Sequence, residues 1–294
     1  GTKSMFSSFI KEKIEVSGTD INLVRGGEGP PLLLLHGYPQ SHVMWHKVAP
    51  KLATKFTLVI SDLRGYGDSG KPSSDDAHFN YSKRVTARDQ VEVMLKLGYD
   101  RFMVAGHDRG ARVGHRMAID YRDNVKKLCV LDIVPTYRVF ADANKKLATM
   151  YWHWFFLIQK TPLPETLIGN NVEFYLRTQF RSWGDSSDYV TDEAFAEYYR
   201  CLQNSETIRA TCEDYRAAAS IDLEHDKADM NQKLSCPLLV LWGELGAMHK
   251  LYNVIETWRE RAIDVSGWPV RCGHFIPEEA PEATIDAFSE FFAE

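Results

Sequence analysis

The sequence predicts an α/β fold built on an open, mostly parallel sheet and covered by a helical insertion. Three observations carry that prediction. Five short runs are apolar at nearly every position: LLLLH (32–36), TLVIS (57–61), FMVAG (102–106), LCVLD (128–132) and LLVLW (238–242). Strands of that kind are buried on both faces, as in a parallel sheet. Helical stretches lie between them, and such alternation builds open sheets with right-handed crossovers. The alternation lapses from 135 to 232, where sixteen of the thirty-five aromatic residues gather in a third of the chain.

In chain order, KIEV (13–16) and INLV (21–24) alternate apolar and polar positions around Gly18, which predicts a hairpin. Residues 83–97 follow Ser82, suited to cap a helix start, and stop at Gly98, suited to its end. A helix over 109–121 follows FMVAG directly, and one over 279–293 closes the chain. The core is assigned to 5–134 and 233–294, and a helical cap to 135–232; GTKS ahead of Met5 is set aside. Ligands of open α/β sheets gather at the carboxyl ends of the strands. A Trp- and Tyr-rich cap there packs most of its rings on itself and lines a pocket with a few.

At 294 residues the chain is long enough for one large domain with an insertion, and 44% apolar with 26% charged residues is an ordinary globular balance. A net charge of −5 gives no reason to expect nucleic acid or an anionic membrane as partner, so anions must be bound by local positive charge. Cys129, Cys201, Cys212, Cys236 and Cys272 are odd in number and widely spaced. They read as reduced thiols of a cytoplasmic protein, not as disulfides or a zinc site. No 7–15-residue apolar leader is visible near the start, and Leu32–Leu35 is far too short to span a bilayer.

FMVAGHDRGARVGHRMAID runs from buried strand into helix, with Gly106 and Gly110 flanking Asp108. That is the context of the G-x-S-x-G elbow, with a carboxylate where a serine hydroxyl usually stands. The elbow lifts its central side chain above the sheet at a helix N-terminus, where the dipole keeps a carboxylate ionised. Asp also caps helices, but the preceding strand and both glycines favour a nucleophile. Gly106, Gly110 and Gly114 do not spell a dinucleotide-binding G-x-G-x-x-G. An ionised carboxylate can displace a leaving group from saturated carbon, leaving an alkyl ester on the enzyme. Hydrolysing that ester takes a base, an acid to orient it and donors for the oxyanion.

The chain offers all three. His274, in RCGHFIPEEAPE ahead of the final helix, is the candidate base, unless it is merely a surface or capping histidine. Asp132 ends LCVLD and is the candidate acid; turn chemistry is its plainer use. The order nucleophile, acid, histidine matches that of α/β-hydrolase triads. Backbone N–H groups of Tyr38, in HGYPQ, and of Arg109 are the candidate oxyanion donors. His42 and His46 stand four apart on a predicted helix without a third ligand, so no metal is expected; His107 and His115 read as structural.

Arg109 and Arg112 are three positions apart, which places them on one helix face about 4.5 Å apart along the axis. They can grip a planar carboxylate with paired hydrogen bonds, or serve structural acids. A substrate carboxylate within ~4 Å of ionised Asp108 would be repelled by about 4 kcal/mol at an effective dielectric of 20, and cations there offset that repulsion. For the leaving group, YWHWFF (151–156) presents His153 and Trp154, and CEDYRA (212–217) presents Tyr215. Together these N–H and O–H donors could hold a small anion such as halide, although Trp and Tyr commonly fill cores.

Taken together, HGYPQSHVMWHKVAP, DLRGYGDSGKP, GHDRGARVGHRMAID, YWHWFFLIQ, PLPE, CEDYRA and GHFIPEEAPE resemble the bacterial fluoroacetate (haloacetate) dehalogenases along nearly the whole chain. The resemblance implies an α/β-hydrolase fold with a mostly parallel eight-stranded sheet and a helical cap. It implies Asp108 as nucleophile, His274 as base and Asp132 as orienting acid. Arg109 and Arg112 would clamp the substrate carboxylate. His153, Trp154 and Tyr215 would receive the halide, and Trp183 would wall the pocket. A homodimer without metal or organic cofactor is implied as well. One departure from the wider fold stands out: LWGELG puts Gly246 where LWGxxD would supply the acid, leaving Asp132, or less well Glu244, to do so.

The expected reaction is hydrolytic dehalogenation of a small 2-haloacid, such as fluoroacetate to glycolate and fluoride. An epoxide hydrolase uses the same aspartate and histidine and needs two cap tyrosines, for which Tyr151, Tyr175, Tyr198, Tyr199 and Tyr215 are available. A non-catalytic receptor for a small acid is disfavoured, because all three triad positions are filled.

Overall fold

The computed structural model describes residues 5–186 and 188–294. Its eight strands are β1 (Ile10–Val16), β2 (Thr19–Gly27), β3 (Pro31–Leu35), β4 (Thr57–Ser61), β5 (Phe102–His107), β6 (Val125–Leu131), β7 (Leu238–Gly243) and β8 (Val265–Val270). They form one sheet in the order β1-β2-β4-β3-β5-β6-β7-β8, antiparallel at β1–β2 and β2–β4 and parallel elsewhere. The five apolar runs are the central strands, and every residue of β5 and β7 is buried. Gly18, at φ 88°, turns the β1–β2 hairpin. The strand order reverses between β3 and β5, and the two turns that leave their carboxyl ends meet there.

Helices cover both faces: α1 (Ala49–Leu52), α2 (Lys83–Lys96) and α3 (Arg109–Asp120) come before the insertion. Ser82 Oγ accepts from Val85 N–H and caps α2, and Gly98 follows it at φ 94°. Between β6 and β7 the described elements are all helical: α4 (Thr136–Ala141), α5 (Lys145–Met150), α6 (Trp152–Phe156), α7 (Leu163–Gly169), α8 (Val172–Trp183), α9 (Asp192–Leu202), α10 (Ser205–Ala218) and α11 (Ile221–Ala228). The chain closes with α12 (Ala247–Leu251), α13 (Val254–Arg259), α14 (Ile276–Glu279) and α15 (Pro281–Phe291).

Two expectations need correction. The closing helix is broken into α14 and α15, because Ala280 leaves helical geometry at ψ 63° and Pro281 opens the second piece. His42 and His46 do not share an α-helix: His42–Trp45 is a 3-10 turn. His42 Nδ1 instead lies 2.8 Å from buried Asp62. Asp62 also accepts from Asn22 Nδ2 and Asp68 N–H, and a Cβ at Gly67 would collide with it at 2.2 Å, so DLRGYGDSG is a structural knot beneath the HGYPQ loop. Among the described residues no helix is long and apolar enough to cross a membrane.

Candidate active site

Asp108 sits at the sharp turn between β5 and α3 with φ 54° and ψ −120°, a conformation strained for any residue with a side chain. Glycines make it possible. A Cβ on Gly106 would lie 2.4 Å from Gly110 O, one on Gly110 would lie 2.3 Å from His36 O, and one on Gly37 would lie 2.2 Å from Asp108 Cβ. Strand, helix and HGYPQ loop thus close around the carboxylate. Tyr38 N–H donates to Asp108 Oδ1 at 2.8 Å, as expected of an oxyanion donor; Arg109 N–H belongs to the first residue of α3.

The loop after β8 brings His274 to the other oxygen: its Nε2 lies 3.3 Å from Asp108 Oδ2, and no protein acceptor is aligned with it. Nδ1 donates to Asp132 Oδ2 at 2.5 Å, which fixes the ring orientation. Asp132, at φ 55° just past β6, is held in turn by Gly243 N–H on Oδ1 at 2.8 Å. The three residues are each at most 6% exposed. Burial acts to push the Asp108 carboxyl up, but the His274 imidazole and then the Arg109 guanidinium outweigh it and hold it well below the usual range. Burial lowers His274, and the carboxylates of Asp108 and Asp132 overcome this and raise it. The pair is therefore an ionised carboxylate against an imidazolium.

Asp132 and Glu244 differ in position: only Asp132 is in contact with His274. Glu244 is exposed, whereas a Cβ on Gly246 would stand 3.8 Å from Asp132 Oδ2. The turns after β6 and β7 converge on one point, and this chain fills it from β6.

Arg109 is wholly buried, its guanidinium carbon 4.1 Å from the Tyr215 ring centroid and 4.6 Å from that of Trp154. Its Nε lies 3.8 Å from Asp108 Oδ1, yet Nε, Nη1 and Nη2 have no hydrogen-bond acceptor among the described residues. Arg112 shares the Trp154 ring at 4.6 Å but donates from Nη1 to Val134 O and Thr136 Oγ1, while its buried Nε has no partner among the described residues. Tyr215 Oη and His153 Nδ1 are likewise buried without partners. Unpaired buried polar atoms are rare and costly, and here they cluster beside the Asp108 carboxylate.

A cavity of about 220 Å³ reaches Asp108, Asp132, His274, His153 and Trp183 at its buried end, and opens past Thr149, Trp152, Ser182, Leu245 and Lys250. Arg109, Arg112, Trp154 and Tyr215 do not line it; they are packed directly behind, with the Tyr215 and His153 rings 5.7 Å apart. Trp183 lines the cavity, 4.3 Å from the His153 ring and edge-on to His274. Tyr151, one of the cap tyrosines named from the sequence, lies in the cavity wall, and His107, read as structural, donates from Nε2 to His274 O at 2.7 Å. Burial lowers His107 to about 3, so it stays neutral. Only its place in the elbow pointed to it. Among the described residues no group of three His, Cys, Asp or Glu side chains could hold a metal.

The fold and the turns that carry these side chains define the class: the chain belongs to the alpha/beta hydrolase family, whose profile matches residues 30–281. It is 42% identical to a fluoroacetate dehalogenase of Burkholderia sp over 99% of this chain and 96% of that protein. It is also 37% identical to a soluble epoxide hydrolase of Corynebacterium sp. (strain C12), over 95% of each. A solved alpha/beta hydrolase structure from Nostoc sp PCC 7120 superimposes with a TM-score of 0.97 at 58% identity, covering 98% of this chain and 99% of that one.

Proposed function

We propose that this hydrolase is a haloacetate dehalogenase, converting fluoroacetate or chloroacetate to glycolate and halide. One observation carries the choice: a buried guanidinium, Arg109, stands beside the attacking carboxylate with no protein acceptor for its nitrogens. A neutral substrate leaves that cation unpaired, whereas a substrate carboxylate satisfies it and has its repulsion from Asp108 cancelled.

In the first step Asp108 Oδ2 attacks the halogen-bearing carbon; the C–O bond forms and the C–halogen bond breaks, its electron pair leaving with the halide. Oδ1, already on Tyr38 N–H, becomes the ester carbonyl oxygen. Halide is received at His153 on the cavity wall, with the Tyr215 ring 5.7 Å from the His153 ring and Trp154 packed behind them. Ester formation removes the Asp108 charge that keeps His274 protonated, so the imidazole loses its proton to solvent and becomes a base. It then takes a proton from water as the water oxygen adds to the aspartyl carbon. Tyr38 and Arg109 N–H groups stabilise the oxyanion. Collapse releases the glycolate alkoxide, which takes its proton from His274, and leaves Asp108 as a carboxylic acid with one oxygen from water; that acid passes its proton to His274, which restores the carboxylate and the imidazolium. A homodimer with a cap over 135–232 belongs to the same proposal; a single-chain mass in light scattering would contradict the dimer.

A second reading, epoxide hydrolysis, has its own support in Tyr151 on the cavity wall, Tyr215 with a free hydroxyl, and the 37% identity to an epoxide hydrolase. Incubation with fluoroacetate, chloroacetate and styrene oxide separates the two. Free halide without diol is expected; diol without halide would replace the first reading by the second.

A further inference from the structure

Glu279, at the end of α14, is not among the residues that line the cavity. Its carboxylate nevertheless collects three backbone donors. Oε1 accepts from Gly273 N–H at 3.0 Å and from Asp185 N–H at 2.6 Å, and Oε2 accepts from Phe275 N–H at 2.8 Å. Gly273 and Phe275 are the residues on either side of His274. Asp185 follows α8 in the helical insertion, two positions after Trp183. One side chain therefore joins the loop that carries the imidazole to the turn that carries a wall of the cavity.

Two independent features show that this junction is tight. His274 N–H donates to Trp183 O at 2.8 Å. A Cβ on Gly273 would lie 2.7 Å from Asp185 N, Gly184 C and Trp183 O, so the two segments meet backbone to backbone. No helix or strand ladder supplies partners for the N–H groups of Gly273 and Asp185, and the Glu279 carboxylate takes that role.

We propose that Glu279 is a positioning residue for ester hydrolysis: by holding Gly273, Phe275 and Asp185 together, it sets where the His274 imidazole stands over the Asp108 carbonyl carbon. The inference rests on the two-step dehalogenase reading for its kinetic consequence and on the structure alone for its geometric one. Carbon–halogen displacement needs only Asp108 and the anion donors, so it tolerates a loosened His274. The water step does not, because a base displaced by about 1 Å costs on the order of 100-fold. Glutamine keeps the length of Glu279 but turns an N–H₂ group toward at least one of the three donors. Aspartate keeps the charge but falls one methylene short of both segments.

The test compares the unmutated full-length protein with Glu279→Gln and Glu279→Asp in three measurements. Intact-protein mass after rapid mixing with chloroacetate reads formation and decay of the Asp108 ester. Proton NMR reads the downfield Nδ1–H signal of the His274–Asp132 bond. Thermal melting reads stability. In both variants the ester is expected to form within about threefold of the unmutated rate and to decay about 10–100-fold more slowly. The downfield signal is expected to shift or broaden. Ester decay at the unmutated rate with an unchanged signal would overturn the proposal, whatever the melting temperature. Should the variants not fold, hydrogen exchange in the unmutated protein decides: Gly273, Phe275 and Asp185 amides are expected to exchange together and slowly, and independent fast exchange overturns the proposal. Absence of both adduct and halide release in unmutated protein would sink the dehalogenase reading while leaving the NMR and exchange tests of Glu279 intact.

Discussion

Arg109 and Arg112 are equivalent in the sequence, three positions apart on one helix face, and the structure separates them. Arg112 is turned to Val134 O and Thr136 Oγ, so part of its capacity anchors the start of the insertion. Among the described residues Arg109 has no hydrogen-bond acceptor for any of its three nitrogens, and its guanidinium packs against the rings of Trp154 and Tyr215. Spacing along a helix gave the shared face; which carbonyls would reach back to it depends on the turn after β6, which no local pattern encodes. The expected result is that Arg109→Leu lowers kcat/KM for chloroacetate by about 100–1,000-fold, the size of an uncompensated repulsion of roughly 4 kcal/mol at close range. Arg112→Leu should lose less, about tenfold, and should also lower the melting temperature. Hydrolysis of the neutral 2-bromoethanol, if measurable in all three proteins, should suffer less from Arg109→Leu than chloroacetate does. Equal losses on both substrates would remove the clamp. The elbow, by contrast, was legible residue by residue, because Gly106 and Gly110 are forced by backbone contacts that leave no room for a side chain.

At the scale of elements, the site is made by the turns after β3, β5, β6, β7 and β8, and four of these could be read from apolar runs. β8 could not. Val265–Val270 lies at the sheet edge, contains Gly267 and Pro269, and buries only Val270 fully. A Cβ at Gly267 would meet Val240 O at 1.9 Å, so close approach to β7 rather than apolar burial shapes it. Leu245 and Lys250 escaped notice for a related reason: segments distant in the chain bring them to one cavity. The convergence of the β6 and β7 turns leads to an expectation about the acid. Asp132→Asn should reduce chloroacetate turnover by about 1,000–10,000-fold, as loss of an orienting carboxylate does elsewhere. Adding Gly246→Asp, which stands where the Asp132 oxygen is 3.8 Å from a built Cβ, should restore at least about tenfold of it. A double variant no better than Asp132→Asn would show that the two turns do not offer one interchangeable position.

Across the whole molecule, sheet, insertion and C-terminal loops are joined by buried polar groups as well as by apolar packing. Glu278 is 1% exposed and accepts from Gln40 of the HGYPQ loop and from Tyr198 of the insertion, the latter at 3.0 Å. Burial, only partly opposed by these bonds, raises its carboxyl from 4.5 to about 8. The folded chain then keeps a proton that the unfolded chain has released over that window. Stability is therefore full below pH 4.5 and is lost as pH rises through 8, on the order of a few kcal/mol. Glu278→Gln should flatten the fall in melting temperature between pH 5 and 8.5, and parallel slopes in calorimetry would contradict this. The same network holds the base loop over the elbow, and the covalent step there is the claim on which the chemistry depends. One turnover of chloroacetate by excess enzyme in H₂¹⁸O, followed by mass analysis of the peptide bearing Asp108 and of the glycolate, tests it most directly. The heavy oxygen should enter the Asp108 carboxylate while the glycolate formed in that first turnover stays unlabelled. Label in the glycolate and none in the peptide would mean that water, not Asp108, attacks the carbon.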